Sequence, residues 1–521
     1  MQKLMLITAL LYAGNLFCQK IAVEIGPEIK MERDLNFWGH LHSDPTGHYV
    51  LLTEDEGSLF SRTTFTPTLQ KYDRTFHLLY SKEFRVDEQD VRFGNMLYAG
   101  DKFFLCTQLL DKKEKKLTCT AMTISLDGKA SKPQKVGVVQ YKEKDDQPTE
   151  IRWMMSEDTS KMLVVAAADD NDDDLRMKVH INVHDNQLSQ LWGKSFTLPY
   201  TQEQLTIRSW TLANDGQVYL LAKVYEEKRS QESKKKGGKR KPAYKMVIFR
   251  FQDGVEKARE FRLDLSDRFV TDVAFRLSPQ NDLNCAGFYA NDTKGVIQGV
   301  FFTRLNGQTG TAEVGTRKEL SARDIDLFDT QKDRSGNEGL DSKFEFKNLV
   351  LRDDGGIVVA AEEAYHITTS YYSAGRIYYR TTYYNNEIFI TSISPAGQID
   401  WVRMIPKKQE FSDTDYFNSY MLMEQRDNLY FLYNDDEDNI NQPLTKRAKR
   451  ISSFRDAVAA LVTVDSTGKM ERRKVFNSKE DADALMTPAN GRQISENELF
   501  FVTTRFKLFG AKRLRMGLVR V

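Results

Sequence analysis

No charge sign dominates this chain of 521 residues. Its 75 Lys and Arg are matched by 74 Asp and Glu, so it has no long-range field to attract nucleic acid or an anionic membrane. Catalytic signatures are missing as well. Without a Gly-x-Ser-x-Gly elbow, an appended peptidase or esterase domain has no support. There is no Walker loop, dinucleotide fingerprint, His-Glu-x-x-His or Cys-x-x-Cys, and no Asp-x-Asp-x-Asp-Gly calcium loop. Beyond residue 20, no apolar run approaches the roughly 20 residues that a membrane helix needs. Cysteine is scarce, with only Cys18, Cys106, Cys119 and Cys285.

What is present begins with an address. Lys3, the apolar stretch Leu4 to Phe17 and then Cys18-Gln19-Lys20 read as a secretory signal peptide. Residues 1–19 are expected to be cleaved near Cys18 or Gln19, leaving an exported periplasmic or secreted protein. A lipoprotein signal anchored at Cys18 is the alternative. An oxidising compartment would permit a disulfide between Cys106 and Cys119, which face each other if Lys112-Lys113 is a two-residue hairpin loop. Two buried free thiols are the other reading, and Cys285, in an apolar run, reads as core.

The rest of the chain is organised around one repeated unit, clearest from Leu205 to Leu265. An apolar run is followed by Asn214-Asp215-Gly216, the apolar run Val218 to Val224, a charged insertion and the run Met246 to Phe251. Then come Asp253-Gly254 and the alternating Phe261, Leu263 and Leu265. The runs have strand length, and each Asp-Gly supplies the positive φ of a tight hairpin turn. The unit is a four-stranded antiparallel meander, which must stack with copies to bury its faces. Second strands recur from Tyr49, Phe103, Met162, Val218, Leu283, Ile357, Leu429 and Leu499.

Radial stacking of such units is a β-propeller; a pair of β-sandwiches is the competing architecture. The expected fold is all-β, with 20–521 forming one propeller domain of eight blades, or seven if the weak first strand around Leu485 to Ile494 does not form. The last unit lacks a fourth strand, while Ile21 to Met31 alternates without a partner. Pairing that N-terminal strand with the C-terminal sheet would close the ring and remove its open edges. Insertions fall near 226–242 (a basic, mobile loop), 321–345 (an irregular connection with a short helix), 365–385 and 436–453.

The turn followed by an aromatic strand, as in Asp185-Asn186-Gln187-Leu188-Ser189-Gln190-Leu191-Trp192 and Gly397-Gln398-Ile399-Asp400-Trp401, resembles the blades of secreted bacterial propellers. The broad likeness is to TolB-like, quinoprotein-like and WD40-like repeat proteins. It implies a fold and an exported setting. The Trp-Asp dipeptide of WD40 strands is absent and the quinoprotein tryptophan-docking signature does not recur, so neither a quinone nor any catalytic residue carries over.

Candidate site residues follow from position and type. Tyr371, Tyr372, Tyr378, Tyr379, Tyr383 and Tyr384 cluster with Arg376 and Arg380, the residue types most enriched at binding hot spots. Acidic stretches containing Asp169, Asp170, Asp435 and Asp436 follow second strands, which places them on one face of a propeller. His40 and His42, like His180 and His184, share a strand face by spacing, but two ligands are too few for a metal site. No cofactor is implied. The reading is a monomeric, non-catalytic binding or scaffolding protein that docks a protein or glycan through its long-loop face. The alternative is an enzyme of the glycan lyase or hydrolase class, with its site at the central channel mouth.

Overall fold

The computed structural model describes residues 21–31, 35–54, 66–84, 91–141, 150–169, 176–230, 233–236, 239–263, 265, 268–291, 295–321, 325, 330–332, 338–341, 343–373, 376–505 and 512–521. The proposed leader 1–19 lies outside them. Among the described residues eight large antiparallel sheets follow one another, seven of them built on four strands in chain order, beginning with Leu35–Asp44, Gly47–Glu54, Thr68–Tyr72 and Leu78–Glu83. Each second strand starts within two residues of the position read from the apolar runs, from Gly47–Glu54 to Glu498–Arg505. The turn glycines Gly216 and Gly254 have φ of 91° and 73°, as a tight hairpin requires.

Second strands are buried on both faces, so their side chains pack alternately against the blade before and the blade after. In the last blade, Leu499 and Phe501 pack on blade 7, while Phe500 and Val502 pack on Val50, Leu52 and Phe76 of blade 1. Apolar clusters of this kind fill each of the eight clefts between neighbouring blades. The molecule is an eight-bladed β-propeller.

The ring closes on its N-terminal strand. Ala22–Ile25 pairs antiparallel with the last strand, from Ala22 opposite Arg520 to Ile25 opposite Gly517, and so supplies the fourth strand of blade 8. Arg520 bridges this seam, donating to Glu24 at 2.9 Å and to Glu498 at 2.8 Å, and Arg74 of blade 1 grips Glu498 at 2.8 and 2.9 Å. The weak first strand of blade 8 is broken into Leu485–Met486 and Arg492–Ser495 around the short turn Pro488–Asn490.

Two insertions differ from expectation. Within 226–242, Ser233–Lys236 and Lys239–Pro242 form a two-stranded hairpin instead of an irregular loop. Within 321–345, Thr330–Lys332 and Glu338–Leu340 add short strands to blade 5, and Ile325 and Leu340 enter the core. Among the described residues no helix is long and apolar enough to cross a membrane.

Candidate functional site

Antiparallel order puts the turns within strand pairs one–two and three–four at one end of every blade. The second-to-third loops and the blade-to-blade connections leave from the other end, which carries the insertions. The one with the longest strands is an arm. In blade 6 the second and third strands run on as Ile357–Ser373 and Arg376–Ile393, far longer than their counterparts. The ladder continues to Ser373 opposite Arg376, and residues 366–372 and 376–380 are exposed.

Strand alternation sorts the arm's side chains onto two faces. One carries Tyr371 stacked on Tyr378 (centroids 5.6 Å apart), with Arg376 and with Arg380 5.9 Å from the Tyr371 ring. The other carries Tyr372 and Tyr379, 74% and 72% exposed, with Ile377. Tyr383 and Tyr384 belong to the root instead. They lie opposite Phe411 and Glu410 of an added strand, Gln409–Ser412, and Tyr384 stacks on Tyr365 at 4.7 Å.

That root is fixed by a buried ion pair. Lys407 Nζ lies 2.9 Å from Glu362 Oε1, with both side chains fully buried. Glu362 Oε2 accepts from Asn385 Nδ2 and Ser419 Oγ, each at 2.8 Å. Lys407 also donates to the Asn385 carbonyl and, at 3.0 Å, to Gln409 Oε1, while Gln409 Nε2 reaches the Asn434 carbonyl of blade 7 at 3.0 Å. Burial pulls the Lys407 ammonium below its ordinary range, and Glu362 pulls it back. The network ties both arm strands to the next blade. Glu362 sits at the end of an apolar run and Lys407 in a Pro-Lys-Lys stretch, so nothing in their spacing announces the contact.

Asp435 and Asp436, expected at the surface, are buried. Asp435 accepts from Asn439 Nδ2 at 2.7 Å with Arg472 3.9 Å away, and burial pushes its carboxyl up to about 6. Asp436 caps the short helix Glu437–Ile440. The two hold their own loop in place instead of presenting oxygens to a partner. Asp169 ends the second strand of blade 3; Asp170 lies outside the described residues.

Register separates the paired histidines and decides between the two readings of the cysteines. An extra residue, Leu41, bulges between His40 and His42 and turns them to opposite sides. His40 packs on Phe500 of blade 8 at 4.4 Å, and His42 stacks on Tyr98 of blade 2 at 3.7 Å. His40 instead joins His48, through Ser43 Oγ at 2.8 and 2.7 Å. Burial holds both imidazoles down, His48 to about 4. In blade 2 the hairpin closes with Asp111 opposite Lys116, a loop of four residues rather than two. The register moves by two, placing Cys119 opposite Gln108 and Cys106 opposite Ala121, so both are free, buried thiols, as is Cys285. Among the described residues no group of His, Cys, Asp and Glu is arranged for a metal ion.

Ion pairs cross between the first strands and turns near the axis. Arg276 of blade 5 reaches Glu157 of blade 3 at 2.5 Å, and Arg208 meets Asp272 at 3.1 Å. On the short-turn side, between blades 6 and 7, a cavity of about 280 Å³ has an apolar floor including Val350, Trp401 and Leu429, with Asp353, Glu424 and Asp427 at its sides. Burial raises the Glu424 carboxyl above its ordinary range.

No family model matches the chain, and no curated relative matches it. Among solved structures it is similar to prolyl oligopeptidase B from Galerina marginata, at 9% identity over 94% of this chain and 56% of that one, with a TM-score of 0.38. It is similar to the WD40 domain of SCAP from fission yeast, at 10% identity over 96% and 98% of the two chains, TM-score 0.37. A third is the β-propeller domain of the Trilobed protease from Pyrococcus furiosus, at 11% identity over 86% and 99%, TM-score 0.33. The chain spans little more than half the length of the oligopeptidase.

Proposed function

We propose that this protein is an exported binding propeller whose arm docks a protein or glycan partner on the long-loop face. One observation carries the reading: exposed tyrosines and arginines stand on a ribbon held out from the blade by a fully buried ion pair. Large aromatics of this exposure contribute nothing to the core. Tyr371, Tyr372, Tyr378 and Tyr379 present broad, stiff contact surfaces of the kind that dominate recognition energies. Replacing these four by serine leaves the melting temperature nearly unchanged and abolishes capture of the native partner from an exported-protein extract. A variant that captures the partner as well as the parent sinks the reading.

The cavity lined by Glu424 supports a second reading, an enzyme acting near the channel. A carboxyl raised by burial and seated in a concave, partly apolar place is a candidate acid or base. Glu424→Gln should abolish any hydrolase or lyase activity detected on a panel of glycans. Activity retained in that variant sets this reading aside.

A further inference from the structure

The arm has an unguarded edge. From His366 to Tyr372 its first strand has the second arm strand as its ladder partner, and among the described residues the opposite edge pairs with nothing. Every residue from 366 to 372 is exposed. Sheet edges are templates for a further strand, and folded proteins blunt them with charges, prolines or bulges. This chain does so elsewhere. The outer strands of other blades carry Arg259, Glu260 and Arg262, or Arg317, Lys318 and Glu319, or Glu471, Arg473 and Lys474. The arm edge, His-Ile-Thr-Thr-Ser-Tyr-Tyr, has no Lys, Arg, Asp, Glu, Pro or Gly and consists mainly of strong strand formers.

We propose that this edge pairs antiparallel with the same edge of a second copy of the chain, joining two arms into a four-stranded ribbon. The segment is complementary to itself about Thr369. With Thr369 opposite its copy, Thr368 meets Ser370, Ile367 meets Tyr371 and His366 meets Tyr372. Apolar and aromatic side chains thus face each other across the two-fold, and no like charges meet at neutral pH. Arg376 and Arg380 lie on the other arm strand, away from the junction.

The junction is small. Taking ~200 Å² per large side chain, the exposures of Ile367, Tyr371 and Tyr372 (47, 48 and 74%) put roughly 340 Å² of open side-chain surface on the edge strand of each arm. This is below the ~800 Å² per partner of a standard interface, so the pairing is a reversible, concentration-dependent one carried by the strand ladder. Antiparallel pairing also sends the two propellers to opposite ends of the ribbon. The paired segment alone is about 23 Å long at ~3.3 Å per residue, so the bodies are held apart.

Sedimentation velocity of the intact protein over a wide concentration range tests this. The expected result is a reversible monomer–dimer equilibrium. Thr368→Lys with Ser370→Lys places like charges across the junction and should raise the dimer dissociation constant at least about tenfold, with an unchanged circular dichroism spectrum. If that variant fails to fold, hydrogen exchange on the parent decides: amides 366–372 should gain protection as concentration rises. A parent that stays monomeric at every concentration, a lysine pair that leaves the dimer intact, or amides indifferent to concentration overturns the proposal. The lysine variant keeps all four exposed tyrosines, so loss of the dimer is separable from loss of partner capture.

Discussion

The imidazole of His40 in the first blade lies 4.4 Å from the ring of Phe500 in the last. The contact spans the seam at which the propeller closes. With His48, itself 5.0 Å from Phe76 and 5.6 Å from Phe500, it places two neutral imidazoles where the ring has to stay shut.

Acid should therefore loosen the seam. Both imidazoles have folded pKa values below the ordinary 6.5, that of His48 near 4, so the unfolded chain takes up protons first as pH falls. The His48 contribution is fully present above about 6.5 and is lost through the window down to about 4, a cost on the order of a few kcal/mol, and His40 acts in the same direction. Asp435, raised to about 6, runs the opposite way, gaining stability as pH falls. The histidine share is accordingly read as the difference in urea unfolding between the parent and His48→Gln. That difference should shrink from pH 7 to pH 4; a constant difference refutes it.

The closing strand can be tested from either side. Removing residues up to 31 takes away the fourth strand of blade 8, together with Glu24 and the Ile21, Val23 and Ile25 side chains that pack against the core. The truncated chain should melt lower and self-associate through the bared edge. An unaltered melting temperature and a clean monomer would show that the strand does not lock the ring. Gly517→Ala probes the same place more gently. A methyl there would meet the Phe501 ring and, at 2.6 Å, the Glu24 carbonyl, and the overpacking should cost about 1–3 kcal/mol in denaturant unfolding.

Lys407→Met should be among the most damaging single changes in the chain. It leaves Glu362 charged and buried with its cation gone, which typically costs about 3–5 kcal/mol. Adding Glu362→Gln should recover much of the loss, and a double-mutant cycle by urea unfolding measures the coupling. Independent, additive effects would mean that the pair does not act as a unit.

The arm tyrosines should divide sharply by position. Tyr372→Ser and Tyr379→Ser, at exposed sites, should shift stability by less than about 0.5 kcal/mol. Tyr433→Ser, in a fully buried position between blades 6 and 7, should cost several kcal/mol. Equal costs at the three positions would place the arm rings in a packed core.

The blades were legible because two signals recur in phase: an apolar run buried on both faces, and a turn needing positive φ, as at Gly216 and Gly254. Closure was legible from the unpaired alternation at Ile21 to Met31. Register within a hairpin was not, since it depends on a loop's length rather than on its composition. Four residues after Asp111 instead of two separated Cys106 from Cys119, and one bulged Leu41 turned His40 away from His42. The ion pair at the arm's root was hidden for another reason. Glu362 and Lys407 are distant in the chain and meet only because a connecting segment folds back beneath the arm, which no local pattern records. The arm's tyrosines stood out by composition, but which of them are free and which are packed follows from the added strand Gln409–Ser412.

Closure by the N-terminal strand also sets a condition on biosynthesis. Glu24 and Arg520 are separated by 496 residues, so strand 22–25 is made long before the strand it pairs with. Such distant pairing is entropically slow and raises contact order. Until residues 513–520 exist, strand 22–25 has no ladder partner, and until residues 498–505 exist blade 1 has no neighbour on one side. A chain that stops short, or a translation product clipped near its end, is left with an open edge at one end and an uncovered apolar face at the other. Loss of either partner strand at this one seam therefore exposes a sheet edge and an apolar blade face together.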